Sequence, residues 1–249
     1  MVPAKEFPTM SIIVPVLNMA RTVRDTLESL IKLDYPDELE IIFIDGRSTD
    51  KTTEIISEYP VQLIEQEGKG LNAARNTGIK YSKGEIIAYT DGDCVVPPNW
   101  AKRIALNFDD PNVGCVGGTL EGYDKEHLIS NYMDETFFHV TPGFRVRIET
   151  TELDLMQFPA GANIAFRRSA LARIKFFDEK INYGFDDLQP VEEMGLKGFR
   201  IVLDPMVRVR HQHRTTVGGL LKQHLNYGRG GTLLFVNKRT SILAHWFSS

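Results

Sequence analysis

Short apolar runs alternate with helical patterns along the first 90 residues. The four runs are MSIIVPVL (10–17), ELEIIFID (38–45), VQLIEQ (61–66) and EIIAYT (85–90). They are rich in β-branched residues and largely lack polar alternation, which predicts strands that are covered on both faces. Apolar residues at helical spacing predict helices over 20–33, about 50–59 and 71–81. This order predicts parallel βαβ units.

The second half follows a different pattern. Helices are expected at 99–108, 169–175 and about 187–197, strands at 113–123, 162–168, 198–204 and 207–211, and a final amphipathic helix at about 216–236. Residues 124–158 are irregular and rich in aromatic residues. The chain is therefore expected to be one α/β domain, with a parallel first half (about 1–98), a mixed extension (about 99–215) that completes the sheet, and a C-terminal amphipathic segment (about 216–249).

Composition and charge narrow the classes of function. The 249 residues carry a formal net charge of −4, with 42% hydrophobic and 25% charged residues, which argues against wholesale binding of nucleic acid. Two cysteines are too few for a disulfide framework and fit a reducing, cytoplasmic setting. No apolar run reaches membrane-spanning length, and the first residues lack the apolar core of a signal peptide.

Polar residues cluster where the predicted strands end. The strand ends carry Pro15-Val16-Leu17-Asn18, Asp45, Gly68-Lys69-Gly70 and Asp91-Gly92-Asp93. Ligands of parallel sheets bind beyond the carboxyl ends of the strands, so these residues should converge. Clustered carboxylates repel one another unless a cation lies among them, which favours a divalent-metal and phosphate site over a simple polar turn. Lys69 and Arg75 could supply the remaining phosphate contacts.

Six motifs in order resemble the family-2 glycosyltransferases of GT-A fold. They are SIIVPVLN, EIIFIDGRSTDKT, GKGLNAARNTGIKYSKGEIIAYTDGDCVVPPNW, FPAGANIAFRRSAL, FDEKINYGFDDLQPVEEMGLKGFRI and VRVRHQHRTTVGGLLKQHLNYGRG. The chain departs from the family pattern in two places. Gly46-Arg47 replaces Asp-Gly, and Asp186-Asp187 stands where Glu-Asp is usual. The resemblance implies a GT-A fold: a Rossmann-like, mostly parallel sheet with helices on both faces and a mixed acceptor-side extension.

The resemblance also implies roles for individual residues. Asp45 would recognise the base of the nucleotide, in a pocket lined by Pro15, Val16 and Asn18. Lys69 and Arg75 would contact the base or the diphosphate. Donor contacts would also come from Asp91, Gly92, Gly161 and Asn163.

The resemblance likewise implies which residues bind the metal ion and which residue is the general base. Asp93 would bind Mn²⁺ or Mg²⁺ together with His211, with Asp91 a further candidate and His213 the alternative to His211. Asp187 would be the general base, with Asp186 as its alternative; acids at a helix N-terminus can also simply complement the helix dipole.

The implied reaction is inverting transfer of a sugar from a nucleotide-sugar. GDP-mannose is favoured slightly over a UDP-sugar. A retained base favours a hydroxyl acceptor, for example a lipid-linked saccharide, over a polyprenyl phosphate. The final helix could lie on the cytoplasmic face of a membrane or pack on the domain. A nucleotidylyltransferase or an inactive nucleotide-binding module are the competing classes.

Overall fold

The computed structural model describes residues 7–123, 144–152, 158–181 and 186–212, together with 217–219, 221, 225, 226, 228 and 229. The first half contains β1 (Met10–Val16), α1 (Val23–Leu30), β2 (Leu39–Asp45), α2 (Thr52–Ile56), β3 (Gln62–Glu65), α3 (Leu71–Tyr81) and β4 (Ile86–Tyr89). The second half contains β5 (Cys94–Val95), α4 (Trp100–Leu106), β6 (Val113–Gly122), β7 (Ile148–Thr150), a 3₁₀ turn (Gly161–Asn163), β8 (Ile164–Arg167), α5 (Arg168–Arg173), α6 (Leu188–Leu196) and β9 (Arg200–His211).

One sheet runs through both halves in the order β3-β2-β1-β4-β8-β6-β9-β5, with β7 added alongside β9. The strands of the first half pair in parallel, as the alternation of strands and helices predicts. β8 is antiparallel to both β4 and β6, whereas β6 and β9 pair in parallel. This arrangement confirms the expected α/β fold with a mixed extension.

Two apolar cores cover the two faces of this sheet. Successive side chains of a strand point to opposite faces, so Ile12 and Val14 pack in one core with α1 and α4, while Ile13 packs in the other with α3, α5 and α6. Trp100 of α4 is fully buried. Because both faces are covered, the open carboxyl ends of the parallel strands are the natural place for a ligand.

The strands at the far edge differ from the sequence-based expectation. The expected strands 198–204 and 207–211 are one strand, β9, which continues through Pro205. The pairing of β9 with β6 shifts register between Gly117 and Thr119, and Pro205 lies opposite this irregular stretch. Proline has no backbone N–H, but no regular ladder hydrogen bond is lost here because the ladder is already interrupted. A Cβ at Gly118 would lie 2.0 Å from the carbonyl oxygen of Val207, so the close approach requires glycine there. Strands β5 and β7 were not predicted.

The expected helix at 216–236 lies mostly outside the described residues. Those described between 217 and 229 are helical, and Val217, Leu221 and Leu225 are exposed. No helix among the described residues is both long and apolar enough to span a membrane. The aromatic residues Tyr132, Phe137 and Phe138 of the irregular segment 124–158 lie outside the described residues, as does His213.

Candidate active site

A cleft of about 480 Å³ lies at the carboxyl ends of β1, β2 and β3. Its lining includes Pro15, Val16, Lys69 and Asp91, which the sequence placed there, together with Leu17, Met19, Gly46, Arg47, Gln66, Gly68, Gly70, Leu71 and Ala74. Leu17 is 53% exposed although it directly follows a buried strand. The sequence places Leu17 at this strand end but predicts no ligand contact for it, because its exposure is visible only in the structure. The apolar walls suit the faces of a nucleoside base.

Asp45 ends β2 beside this cleft and is 7% exposed. Its carboxylate accepts hydrogen bonds from the backbone N–H groups of Arg47 and Ser48, each at 3.0 Å. Arg47 has φ +69° and donates from Nε to Glu65 at 3.0 Å. The carboxylate of Asp45 therefore holds the turn that forms the cleft wall at Gly46 and Arg47.

Asn18 fastens the first two loops to each other. Its side-chain Oδ1 accepts a hydrogen bond from the backbone N–H of Thr49 at 2.8 Å, and its backbone N–H donates to the hydroxyl of Ser48 at 2.9 Å. With φ +54°, it adopts a left-handed conformation that asparagine tolerates better than most residues. Asn18 is not among the lining residues of the cleft, so the structure gives it a loop-positioning contact.

The tripeptide Asp91-Gly92-Asp93 joins β4 to β5. Gly92 packs so closely on β1 that a Cβ would lie 2.7 Å from a methyl group of Val16. Burial, and then the negative charge of Asp93, raise the pKa of Asp91 to about 6. Asp91 lines the cleft, whereas the carboxylate of Asp93 lies 3.3 Å from Nε2 of His211.

Pairing of β5 with β9 produces the contact between Asp93 and His211. Cys94 aligns with His211 in the ladder, and the backbone N–H of Gln212 donates to the carbonyl oxygen of Asp93 at 2.8 Å. Ligand atoms of Asp93, Cys94 and His211 all lie within 4.8 Å of one another. The structure thus brings together two residues that are 118 positions apart in sequence and that the family resemblance implied as partners.

The donor set fits a divalent cation. A carboxylate oxygen and an imidazole nitrogen can both bind Mn²⁺, and a nearby cation would offset the burial of Asp91 and the negative charge of Asp93, which in that order raise the pKa of Asp91. The Cys94 thiol is buried, and it is a soft ligand of the kind that selects copper, zinc or iron–sulfur clusters rather than Mn²⁺ or Mg²⁺. Asp93 and His211 are therefore the residues that would hold the ion.

Asp186 and Asp187, which precede α6, have different surroundings. Asp186 is buried and forms an ion pair with Arg75, which is 3% exposed. Asp187 is half-buried, and its Oδ2 accepts a hydrogen bond from the backbone N–H of Gly161 at 2.6 Å. Burial, and then the charge of Asp186, raise the pKa of Asp187 to about 6. The structure therefore favours Asp187 as a base and makes Asp186 the counter-ion of Arg75.

Arg75 and Asn163 lie near the site but are engaged with the protein. Arg75 is not among the lining residues of the cleft. Asn163 is fully buried, accepts from Nε1 of Trp100 at 2.9 Å, and donates to the carbonyl oxygens of Thr119 and Val207 at 2.8 and 2.9 Å. Its amide joins α4, β6 and β9, so the structure shows it holding the scaffold behind Gly161.

Comparison with protein-family models gives a match over residues 11–175 to the family described as "Glycosyl transferase family 2". Among curated proteins, the chain is 36% identical over 121 residues to glycosyltransferase AglE of Haloferax volcanii, which covers 46% of this chain and 40% of AglE. It is 26% identical over 220 residues to a poly-β-1,6-N-acetyl-D-glucosamine synthase of Staphylococcus aureus, which covers 86% of this chain and 52% of the synthase. The chain thus spans about half the length of these relatives.

Two solved structures share the fold. One is the mannosyltransferase PcManGT of Pyrobaculum calidifontis in complex with GDP-Man and Mn²⁺, with a TM-score of 0.67 and 24% identity over 86% of this chain and 59% of that one. The other is S. aureus TarS 1–349 in complex with UDP-GlcNAc, with a TM-score of 0.63 and 19% identity over 85% and 60% of the two chains. The fold is that of GT-A glycosyltransferases.

Proposed function

The chain belongs to glycosyl transferase family 2, and from this premise we propose that it is a metal-dependent, inverting glycosyltransferase that moves a sugar from a nucleotide-sugar to a hydroxyl acceptor. One observation carries the proposal. Arg75 forms a buried ion pair with Asp186, and a Cβ at Gly161 would lie 2.5 Å from Nη2 of Arg75 and 2.9 Å from Oδ2 of Asp187; the negative charge of Asp91, in the cleft lining, also helps to raise the pKa of Arg75. The donor cleft and the candidate base therefore meet in one electrostatic cluster at the edge of the sheet.

The chemistry assigned to this cluster is proton transfer and positioning. Asp187 takes the proton of the acceptor hydroxyl while that oxygen attacks the anomeric carbon, and the nucleoside diphosphate leaves from the opposite face of the sugar. A carboxyl with a pKa of about 6 is mainly ionised at pH 7 and is a stronger base than an ordinary aspartate. A base of this kind contributes about 10²–10⁴ in rate. Lys69 in the cleft lining offers its ammonium group to the diphosphate.

A divalent cation held by Asp93 and His211 would, when bound, offset the charge that develops on the leaving diphosphate. The fit of these two side chains supports that role. Mn²⁺ is the first ion to test, because the mannosyltransferase of the same fold was solved with Mn²⁺. Mg²⁺ is the second.

GDP-mannose and UDP-N-acetylglucosamine are the two donors to compare. The first is bound by the mannosyltransferase and the second by TarS. Asp45 can pair with guanine or with uracil, and the family resemblance slightly favours GDP-mannose. The apolar walls at Leu17 and Leu71 would serve either base.

The favoured acceptor is a hydroxyl of a lipid-linked saccharide or another glycan precursor. A polyprenyl phosphate is already ionised and gains little from a base, so the retained Asp187 favours the hydroxyl. Exposed Val217, Leu221 and Leu225 follow one another at intervals of four residues and so lie along one helix face. This exposure supports peripheral contact with the cytoplasmic face of a membrane.

Release of the nucleoside diphosphate from a donor panel tests the proposal. The protein is incubated with GDP-mannose, GDP-glucose, UDP-glucose or UDP-N-acetylglucosamine, with Mn²⁺, Mg²⁺ or EDTA. We expect one donor to be turned over with metal only, and Asp187→Asn to lose most of that rate. No turnover of any donor, or full activity of Asp187→Asn, would contradict the proposal.

A further inference from the structure

The ion pair between Arg75 and Asp186 is buried between the donor half and the acceptor half of the molecule. We propose that this pair is a positioning device, which fixes the carboxylate of Asp187 relative to the donor cleft rather than contacting the donor itself. The inference rests on the proposed function, because it assigns a role in that same reaction. Three sets of contacts support it.

The first set fastens the segment before the acids to α3. The amide nitrogen of Asn72 donates to the carbonyl oxygens of Asp178 and Ile181 at 2.9 and 3.1 Å. Asn76 donates to the carbonyl oxygen of Phe177 at 2.9 Å and accepts from its N–H at 3.1 Å. Gly70 and Leu71, where α3 begins, line the donor cleft. One helix therefore carries part of the donor wall at its start and holds the acceptor segment along its side.

The second set fixes the guanidinium group of Arg75. Besides its ion pair with Asp186, it donates to Oδ1 of Asn72 at 3.0 Å. It also lies over the rings of Phe177 and Tyr89, at 5.3 and 6.0 Å from their centroids. A buried arginine with these partners has a defined orientation, and because it does not line the cleft it is poorly placed to contact a diphosphate.

The third set of contacts brings Arg75 and Asp187 to the backbone of the same residue, Gly161. A Cβ at Gly161 would lie 2.5 Å from Nη2 of Arg75 and 2.9 Å from Oδ2 of Asp187. The N–H of Gly161 donates to that same carboxylate oxygen. The absence of a side chain at Gly161 is therefore what lets Arg75 and Asp187 approach the same short turn.

The charges around Asp187 give the pair a measurable effect. Among the described residues, Asp186 beside it and Arg75 from α3 act on its carboxyl, and the charge of Asp187 in turn helps to raise the pKa of the buried Cys115 thiol on β6. Asp186 raises the pKa of Asp187, and Arg75 lowers it. Loss of one partner or the other should therefore move the acid limb of the pH–rate profile in opposite directions, an outcome that a purely structural ion pair would not produce.

The test compares Arg75→Gln and Asp186→Asn with wild type. Arg168→Gln is the matched control, since Arg168 also donates to protein groups, at Gly84 and Ser82, but does not contact the acids. The readouts are the rate of diphosphate release from GDP-mannose and UDP-N-acetylglucosamine with Mn²⁺, its pH profile, and the affinity for GDP and UDP with Mn²⁺ by calorimetry. Water replaces the acceptor hydroxyl in the release assay.

We expect both test variants to lower kcat by about 10- to 100-fold, because small misplacements of a reacting group have effects of this size. Nucleotide affinity should change less than about threefold, as expected for groups outside the cleft. The acid limb of the pH–rate profile should shift to higher pH in Arg75→Gln and to lower pH in Asp186→Asn. It should not shift in Arg168→Gln. Asp186→Asn keeps the bond between Arg75 and Asn72, so it decides the question if Arg75→Gln does not fold.

Two results would overturn the inference. Nucleotide affinity that falls in step with kcat would make Arg75 a donor contact. A kcat and an acid limb that match those of Arg168→Gln would make the pair a scaffold element only. If wild type itself turns over neither donor while both nucleotides bind, the proposed function fails instead, and the two failures remain distinguishable.

Discussion

Substitution of Asp187 by asparagine should stabilise the free protein while it removes activity. Burial and the charge of Asp186 raise the pKa of this carboxyl from 3.8 to about 6. A carboxyl whose pKa is higher in the folded state binds its proton more tightly there. The folded protein therefore loses stability as pH rises through the interval between the two pKa values. Asparagine has no charge, and its oxygen can still accept from the N–H of Gly161.

The size of the effect follows from linkage. A shift from 3.8 to about 6 corresponds to about 3 kcal/mol of destabilisation at pH 8, since each pKa unit is worth about 1.36 kcal/mol. At pH 5 the same relation gives about half as much. Asp187 retains some contact with solvent, which screens its charge, so about half of these values is expected. For a chain of this size that corresponds to a rise in Tm of about 3–6 °C at pH 8.

Thermal and urea unfolding at pH 5 and pH 8, without metal or nucleotide, measure this difference. The exposed Asp37 provides the control, because Asp37→Asn should change stability by less than about 0.5 kcal/mol at either pH. A gain for Asp187→Asn that is larger at pH 8 than at pH 5 supports the reasoning. An Asp187→Asn protein that is less stable than wild type at pH 8, or a gain that is the same at both pH values, would refute it.

Three further predictions follow from other contacts. Gly161→Ala should cost about 1–3 kcal/mol in urea unfolding and lower kcat, because its Cβ would collide with Arg75 and Asp187; unchanged stability and rate would contradict the close packing. Asn163→Ala should cost about 2–4 kcal/mol, because it removes the acceptor of the buried Trp100 Nε1 and one hydrogen bond from each of two carbonyl oxygens, and a loss below about 0.5 kcal/mol would be inconsistent with these bonds. His211→Ala should raise the Mn²⁺ concentration for half-maximal thermal stabilisation about 10-fold or more; an unchanged Mn²⁺ titration would remove His211 from the metal site.

The first half of the fold was readable from sequence because each buried strand carries a continuous apolar run. The long strand β9 could not be predicted as one strand, because Asp204-Pro205-Met206 has the composition of a turn between two strands. Only the shifted register opposite Gly118 shows why a proline is tolerated there. The two-residue strand β5 gives no periodic signal at all, yet it brings Asp93 to His211.

Some residues of the candidate site could likewise be predicted from the sequence, and others could not. Pro15, Val16, Lys69 and Asp91 line the cleft where strand ends and motifs placed them. The sequence could not separate Asp186 from Asp187, because their difference lies in a partner more than 100 positions away: Arg75 pairs with one and leaves the other to Gly161. Motif spacing likewise gives no sign that the amide of Asn163 is engaged by Trp100.

The most direct test of the proposed transferase is diphosphate release from the donor panel with Mn²⁺, measured for wild type, Asp93→Asn and Asp187→Asn side by side. The account predicts that wild type turns over one donor, that Asp187→Asn retains nucleotide affinity but loses about 10²–10⁴ in rate, and that Asp93→Asn loses its response to Mn²⁺. Turnover by Asp187→Asn at the wild-type rate, or wild-type turnover that is unaffected by EDTA, would contradict it.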